Sequence, residues 1–189
     1  QDLIEAIKVI HFQEFLICGR RWDLDVREEI DFFESNWADN LLDKVRMEGS
    51  AHSLSGIDYF IFRRNTIKMP PFAVGRPGWD GWLIGEMRRR GIPVIDASES
   101  ILVIHQNHDY SHSPVGRKKR IEGPEWAENI RLAGGLKNLM TLRDADWILT
   151  REGLKRPSFP RCIFPFLSLI YPWRVILATK RRLQNAIGN

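Results

Sequence analysis

The stretch GRPGWDGWL, residues 75–83, sets one carboxylate, Asp80, between two indoles, Trp79 and Trp82. Gly75, Gly78 and Gly81 loosen the run and Pro77 stiffens it. Sugar rings stack their C–H faces on tryptophan while their hydroxyls seek an acid, so Trp79, Asp80 and Trp82 form a group suited to carbohydrate. Partial desolvation by the two rings would also move the carboxyl pKa towards acid/base work. The same residues read as a loop turning into a helix, where an aspartate serves as well by capping free amides.

A second concentration of chemistry is IHQNHDYSH, with His105, His108, Asp109 and His112. Three of the five histidines of the chain fall here within eight residues. Imidazole and carboxylate together suit a divalent metal, with His105 and His108 the candidate ligands. Side chains alternate along a strand, so a turn must follow His105 before two rings converge. A polar loop of hydrogen-bonded histidines is the plainer alternative. The third group, Arg20, Arg21, Asp23 and Asp25 in GRRWDLDV, has the mixed charge of a strand-end loop. Arginines there can hold phosphate through paired N–H donors, and surface ion pairs explain them equally well.

The elements that position these groups follow from periodicity. DLIEAIKVI has Leu3, Ile4, Ile7 and Ile10 on one helical face, and EFLICG (14–19) is a short apolar strand closed by glycine. Residues 27–48 read as one or two polar-faced helices, and GSAHSLSG (49–56) as a loop. IDYFIFRR (57–64) is β-branched and aromatic, a strand with Asp58 near its start. GWLIGEMRRRG (81–91) reads as a helix with arginines in its last turn and Gly91 as its stop. IPVIDAS (92–98) and SILVIHQ (100–106) are two further strands, EWAENIRLAG contains a helix, and LMTLRDADWIL (139–149) is a turn between short extended pieces. Alternating strands and helices imply an α/β fold, a mixed sheet flanked by helices, over residues 1–150. Residues 151–189 form an irregular basic and apolar C-terminal arm.

The chain has 189 residues, 43% hydrophobic and 28% charged, which suits a folded domain with a sizeable core. Its net charge of +4 is spread over separate runs, Arg88–Arg90, Arg117–Arg120 and Lys180–Arg182, so nucleic acid is not the expected partner. Two cysteines far apart suggest neither a disulfide framework nor a thiolate metal site, and a reducing, cytoplasmic setting is expected. The apolar run at 163–178 is broken by Pro165, Pro172 and Arg174, so contact with a membrane surface, or packing on the chain's own domain, fits it better than a span.

Taken in order, SGIDYFIFRR, PPFAVGRPGWDGWLIGEMRRRGIPVIDAS and IHQNHDYSH resemble the second half of a GT-A-type nucleotide-diphospho-sugar glycosyltransferase domain. The resemblance covers roughly residues 1–150 and implies a partial GT-A-like sheet. It implies that Asp58 faces the acceptor, that Asp80 is the acid at the helix start which takes or orients the acceptor hydroxyl, and that His105 or His108 is a late metal ligand. Arg76, Arg20 and Arg21 would contact phosphate, and Trp79 and Trp82 would shape the sugar or acceptor pocket. A nucleotide-sugar donor, a glycan or other hydroxyl acceptor, and a divalent Mn or Mg ion belong to the same expectation. Asp23-Leu24-Asp25 has the spelling of the family's Asp-X-Asp, but only about twenty residues precede it and its place after GRRW fits a later loop. The nucleotide-binding half is therefore expected to be missing, with the chain alone inactive. A non-catalytic carbohydrate- or partner-binding module and a metal-dependent hydrolase built on the histidines are the alternatives. The transferase reading requires Asp80 and the imidazole some twenty-five residues downstream to open onto a common cleft.

Overall fold

The computed structural model describes residues 3–108 and 123–158. Asp109, His112, the Arg117–Arg120 run, Cys162 and the apolar run of the arm lie outside them. In chain order the elements are α1 (Leu3–Lys8), β1 (Leu16–Arg20), β2 (Trp22–Leu24), α2 (Trp37–Glu48), β3 (Ser50–Ala51), β4 (Ile57–Phe62), α3 (Trp79–Arg89), β5 (Val94–Asp96), β6 (Ile104–Gln106), α4 (Pro124–Leu132), β7 (Trp147–Thr150) and β8 (Gly153–Lys155). The fold is α/β.

The main sheet has the order β4-β1-β5-β7-β8. Its centre is parallel, β1 with β5 and β5 with β7, and each edge is antiparallel. The central strands are short apolar runs buried on both faces, as parallel sheets require. Side-chain alternation separates two cores. Leu16, Cys18 and Val94 meet Trp82, Leu83, Ile84 and Met87 of α3 on one face. Ile17, Ile95 and Leu149 meet Ile7, Ile10 and Phe12 on the other. Burying these aliphatic side chains, each worth about 1.5–3 kcal/mol when fully removed from water, is what orders the sheet.

Helix α3 lies close to the segment after α4 because it carries no side chain at Gly81 and Gly85. A Cβ at Gly85 would stand 2.4 Å from the Asn138 carbonyl oxygen, and one at Gly81 would stand 2.9 Å from that of Met140. The helix ends as its sequence predicts, with Gly91 at a φ of +71° that an L side chain resists.

Three expectations change. Residues 27–36 are not helical: Asp31 accepts a hydrogen bond from the Phe33 amide, a local turn that competes with a helix, and four acids, Glu28, Glu29, Asp31 and Glu34, crowd the stretch. The run 100–106 forms a strand only at Ile104–Gln106, and it joins β2 and β3 in a second sheet of order β3-β2-β6. The sheet also does not stop at residue 150, since β8 pairs with β7 through Ile148 opposite Lys155. The hairpin closes through Gly153, whose φ of +122° needs glycine.

Candidate functional site

Helix α3 leads straight into β5, with the Ile92 amide still bonded to the Met87 carbonyl. The helix therefore runs opposite to β5, and its N-terminus lies where β1 and β5 finish. In open α/β sheets this carboxyl end is where ligands bind. The start of antiparallel β4, with Asp58, lies at the same end, as does β2, which continues from β1.

Three strands, the link between β1 and β2, and one loop bring a charged network together there. Arg21, between β1 and β2, donates from Nε to Asp23 Oδ1 at 2.8 Å and from Nη1 to Asp58 Oδ1 at 2.9 Å. Asp23 Oδ2 lies 2.6 Å from His52 Nδ1, and Asp58 Oδ2 lies 2.8 Å from His105 Nδ1. One guanidinium thus bridges two Asp–His pairs. Parallel pairing of β2 with β6 sets Asp23 beside His105 in register. Asp58 reaches His105 because the β1–β4 ladder slips by one residue between Gly19 and Arg20, so that Arg20 pairs with Ile57 and Asp58 is left out of the register. Such a bulge re-aims a side chain away from the ladder.

The network is partly shielded, with side-chain exposures of 14% for Arg21, 19% for Asp23 and 22% for Asp58. Burial works against the Asp23 charge, but hydrogen bonds with His52 and Arg21 outweigh it and hold the carboxyl below its ordinary pKa. Burial likewise opposes the Arg21 charge, and Asp58 and then Asp23 overcome it and raise its pKa. With Nδ1 engaged by a carboxylate, each histidine keeps Nε2 as its other ring nitrogen, the tautomer logic of a carboxylate-oriented base. The His105 and His108 rings lie 5.5 Å apart between centroids.

Asp80 sits in the first turn of α3. Its Oδ1 accepts from the Gly81 amide at 2.8 Å and the Gly78 amide at 3.2 Å, so it satisfies donors that a helix start leaves open. The two tryptophans part company. Trp79 is half-buried against Phe60 of β4, ring centroids 5.0 Å apart. Trp82 is 7% exposed and packs on Phe72, so it is a core residue and its ring has no face left for a sugar. Strand β4 connects the groups: Phe60 supports Trp79, and Asp58 holds His105. Topology puts Asp80 and His105 towards the same end of the sheet, but neither lines either of the two clefts described below, so the common cleft expected for them is not among these.

Of the three arginines expected to meet phosphate, two are engaged within the protein. Arg21 bridges the aspartates, and Arg76 pairs with Glu125 of α4. Arg20 differs: its Nε is buried with no hydrogen-bond partner. Asp25, more exposed than Asp23, is 3.8 Å from Arg27.

Two residues that the sequence reading passed over matter as much. His52 sits in a Ser- and Gly-rich loop, and only the β2–β3 pairing brings it to Asp23. Asn129 of α4 is fully buried and pins the loop before α3: its Oδ1 accepts from the Ala73 amide, and its Nδ2 donates to the carbonyls of Ala73, Arg76 and Pro77. A polar residue on the apolar face of EWAENIRL was the available signal. Two clefts lie elsewhere, between the acidic stretch and α2, lined in common by Val26, Glu28, Glu29, Ile30 and Leu41.

Among the described residues no group of three or more His, Cys, Asp or Glu side chains is placed to hold a metal ion. No described helix is long and apolar enough to cross a membrane. Comparisons of the chain with family models, curated proteins and solved structures return no match.

Proposed function

We propose that this chain forms the acceptor side of a glycosyltransferase-type sugar-transfer domain, with its site at the carboxyl end of β1 and β5. The observation that carries the reading is the Asp58–His105 hydrogen bond of 2.8 Å. It joins the two residues that the family resemblance assigns separately to the acceptor side and to the late metal position. Asp80, at the start of α3 on the same end of the sheet, supports it further.

In this reading Asp80 takes or orients the proton of an acceptor hydroxyl, and Trp79 offers its exposed part to a sugar ring. Asp58 acts through His105, fixing the orientation of the imidazole through Nδ1. A divalent ion in such enzymes neutralises the leaving diphosphate. The described residues do not form a site for one: they supply the Nε2 of His105, while Asp23 and Asp58 are taken up by Arg21 and the histidines. No step is therefore assigned to a metal here.

A binding module without turnover is the second reading, favoured by the mutual satisfaction of Arg21, Asp23 and Asp58. The test is transfer from a panel of nucleotide sugars, with Mn or Mg, by the full-length product of the gene encoding this chain. Transfer lost in Asp80→Asn, with circular dichroism unchanged, supports the first reading. Undiminished transfer in that variant removes Asp80 from the mechanism, and glycan binding with no transfer moves the conclusion to the module.

A further inference from the structure

We infer that the cleft between residues 26–34 and α2 is a docking groove for a peptide segment of another protein, one that carries apolar side chains between lysines or arginines. The inference does not depend on the sugar-transfer reading, since the groove shares no residue with the Asp80 group or the two Asp–His pairs.

The walls of the groove are fixed by different elements. Helix α2 supplies Trp37, Leu41 and Lys44, and β6 supplies Ile104 and Gln106. Gln106 also ties the third wall in place, because its Oε1 accepts from the Val26 amide at 2.8 Å. The next residue, Asn107, donates its amide to the Leu24 carbonyl at 2.9 Å. The result is two hollows of about 220 and 520 Å³ that share Val26, Ile30 and Leu41. Volumes of this size take a group of apolar side chains rather than a lone water or ion.

The floor is apolar and incompletely covered. Val26, Ile30 and Leu41 are only half-buried, Phe32 is 64% exposed, and Phe33 beside it is 100% exposed. Phe32 is held in place, its ring meeting Trp37 edge-on with centroids 5.1 Å apart. Two adjacent phenylalanines left in water beside a hollow of further apolar carbon form a patch of the kind that marks an interaction site.

Charge decides the partner. Glu28, Glu29, Asp31 and Glu34 line the first hollow against one cation, Lys44. Residues 25–48 hold eight acidic and three basic residues, a net −5 in a chain of net +4. Elsewhere exposed acids such as Glu5, Asp43, Glu99 and Glu128 have a lysine or arginine at hand, whereas Glu28, Glu29 and Glu34 make no ion pair among the described residues. Crowded carboxylates repel one another; a basic partner relieves that repulsion, and complementary charge speeds encounter and fixes register. The same acids repel nucleic acid and anionic lipid, and among the described residues they are not placed to hold a metal ion. An apolar floor inside an acidic rim therefore selects a peptide with apolar anchors and basic flanks.

The test is NMR of the Trp37 indole N–H of the full chain in about 150 mM salt, titrated with a synthetic amphipathic peptide of leucine and lysine. Trp37→Phe identifies the signal. Two peptides of equal length are the controls, one with glutamate for each lysine and one with serine for each leucine. A saturable shift with the leucine–lysine peptide is expected, at least tenfold weaker with either control. Affinity should also fall at least tenfold in Glu28→Gln/Glu29→Gln/Glu34→Gln and in Phe32→Ser, all at exposed positions, with circular dichroism unchanged. It should hold within twofold in Glu5→Gln/Glu99→Gln/Glu128→Gln, which removes the same charge elsewhere. The inference is overturned if no saturable shift occurs, if the glutamate peptide binds as tightly, or if the two triple variants weaken binding equally. It is also overturned if the signal moves with chain concentration alone, which makes the occupant a second copy. If the peptide binds only to Lys180→Glu/Arg181→Glu/Arg182→Glu, the chain's own arm fills the groove and the partner reading falls.

Discussion

Replacing Arg21 by methionine keeps the stem of the side chain and removes the one cation that bridges Asp23 and Asp58. The loss is two charge-assisted hydrogen bonds, of 2.8 and 2.9 Å, from a group 14% exposed. Hydrogen bonds to charged groups contribute about 1.5–3 kcal/mol each, and breaking a fully buried ion pair costs about 3–5 kcal/mol. The carboxylates keep their histidine partners and about a fifth of their exposure, so the cost falls below the fully buried range, at roughly 2–3 kcal/mol at neutral pH. In a chain of this size that corresponds to a fall in Tm of about 5–10 °C. Urea and thermal denaturation of the 189-residue chain and of Arg21→Met measure it. The gap should hold from pH 7 down to the ordinary carboxyl value, about 3.9, and narrow only below it, because the lowered pKa of Asp23 keeps that carboxylate charged until then. Arg21→Lys should fall between the two, since an ammonium carries the charge but cannot span both carboxylates as a planar fork. A gap below about 0.5 kcal/mol at neutral pH, the size of an ordinary surface substitution, would refute the bridging role, as would a gap that ignores pH.

Other consequences follow from the same geometry. Asp23→Asn should flatten the acid limb of the stability–pH curve. The depressed pKa of Asp23 means that its contribution is complete above the ordinary carboxyl value, near about 3.9, and is lost as pH falls through the lower folded value; denaturation at stepped pH reads the slope. Asn129→Leu should cost about 2–4 kcal/mol in urea titrations, because it strands the Ala73 amide and the carbonyls of Ala73, Arg76 and Pro77. Gly85→Ala should destabilise despite a gain of about 1 kcal/mol in helix propensity, since its Cβ would meet the Asn138 carbonyl oxygen at 2.4 Å, for a net loss of about 1–2 kcal/mol. Gly75→Ala meets nothing within 4 Å, so only its φ of +87° should register, at about 1–2 kcal/mol.

Much of the scaffold was legible in the residues because its causes are local. The apolar run ending at Gly19, the β-branched run from Ile57 and the arginine-ended helix closed by Gly91 all declare themselves within a few positions. Asp80 was legible as the acid of a helix start for the same reason. Trp82 was not legible as a core residue, because the pairing of Trp79 and Trp82 around an acid is the same in a sugar site and in a helix that buries one ring. Which ring is buried depends on Phe72 and Phe60, supplied by other elements. The helix expected over part of 27–36 failed to form because a local aspartate turn and four crowded acids act against a pattern that periodicity alone made ambiguous.

The amino-acid sequence by itself determined the succession of elements, the apolar faces that pair them and the chemical types available at the strand ends, since each depends on neighbours within a turn or a strand length. Only the tertiary structure decided which of those groups meet. Asp58 and His105 are 47 positions apart, and their hydrogen bond exists because β6 leaves the main sheet to pair with β2 and because a bulge turns Asp58 out of its ladder. The same long-range pairing occupied Arg21 with two carboxylates, whereas Arg20, its neighbour in the chain, keeps a buried Nε with no hydrogen-bond partner among the described residues.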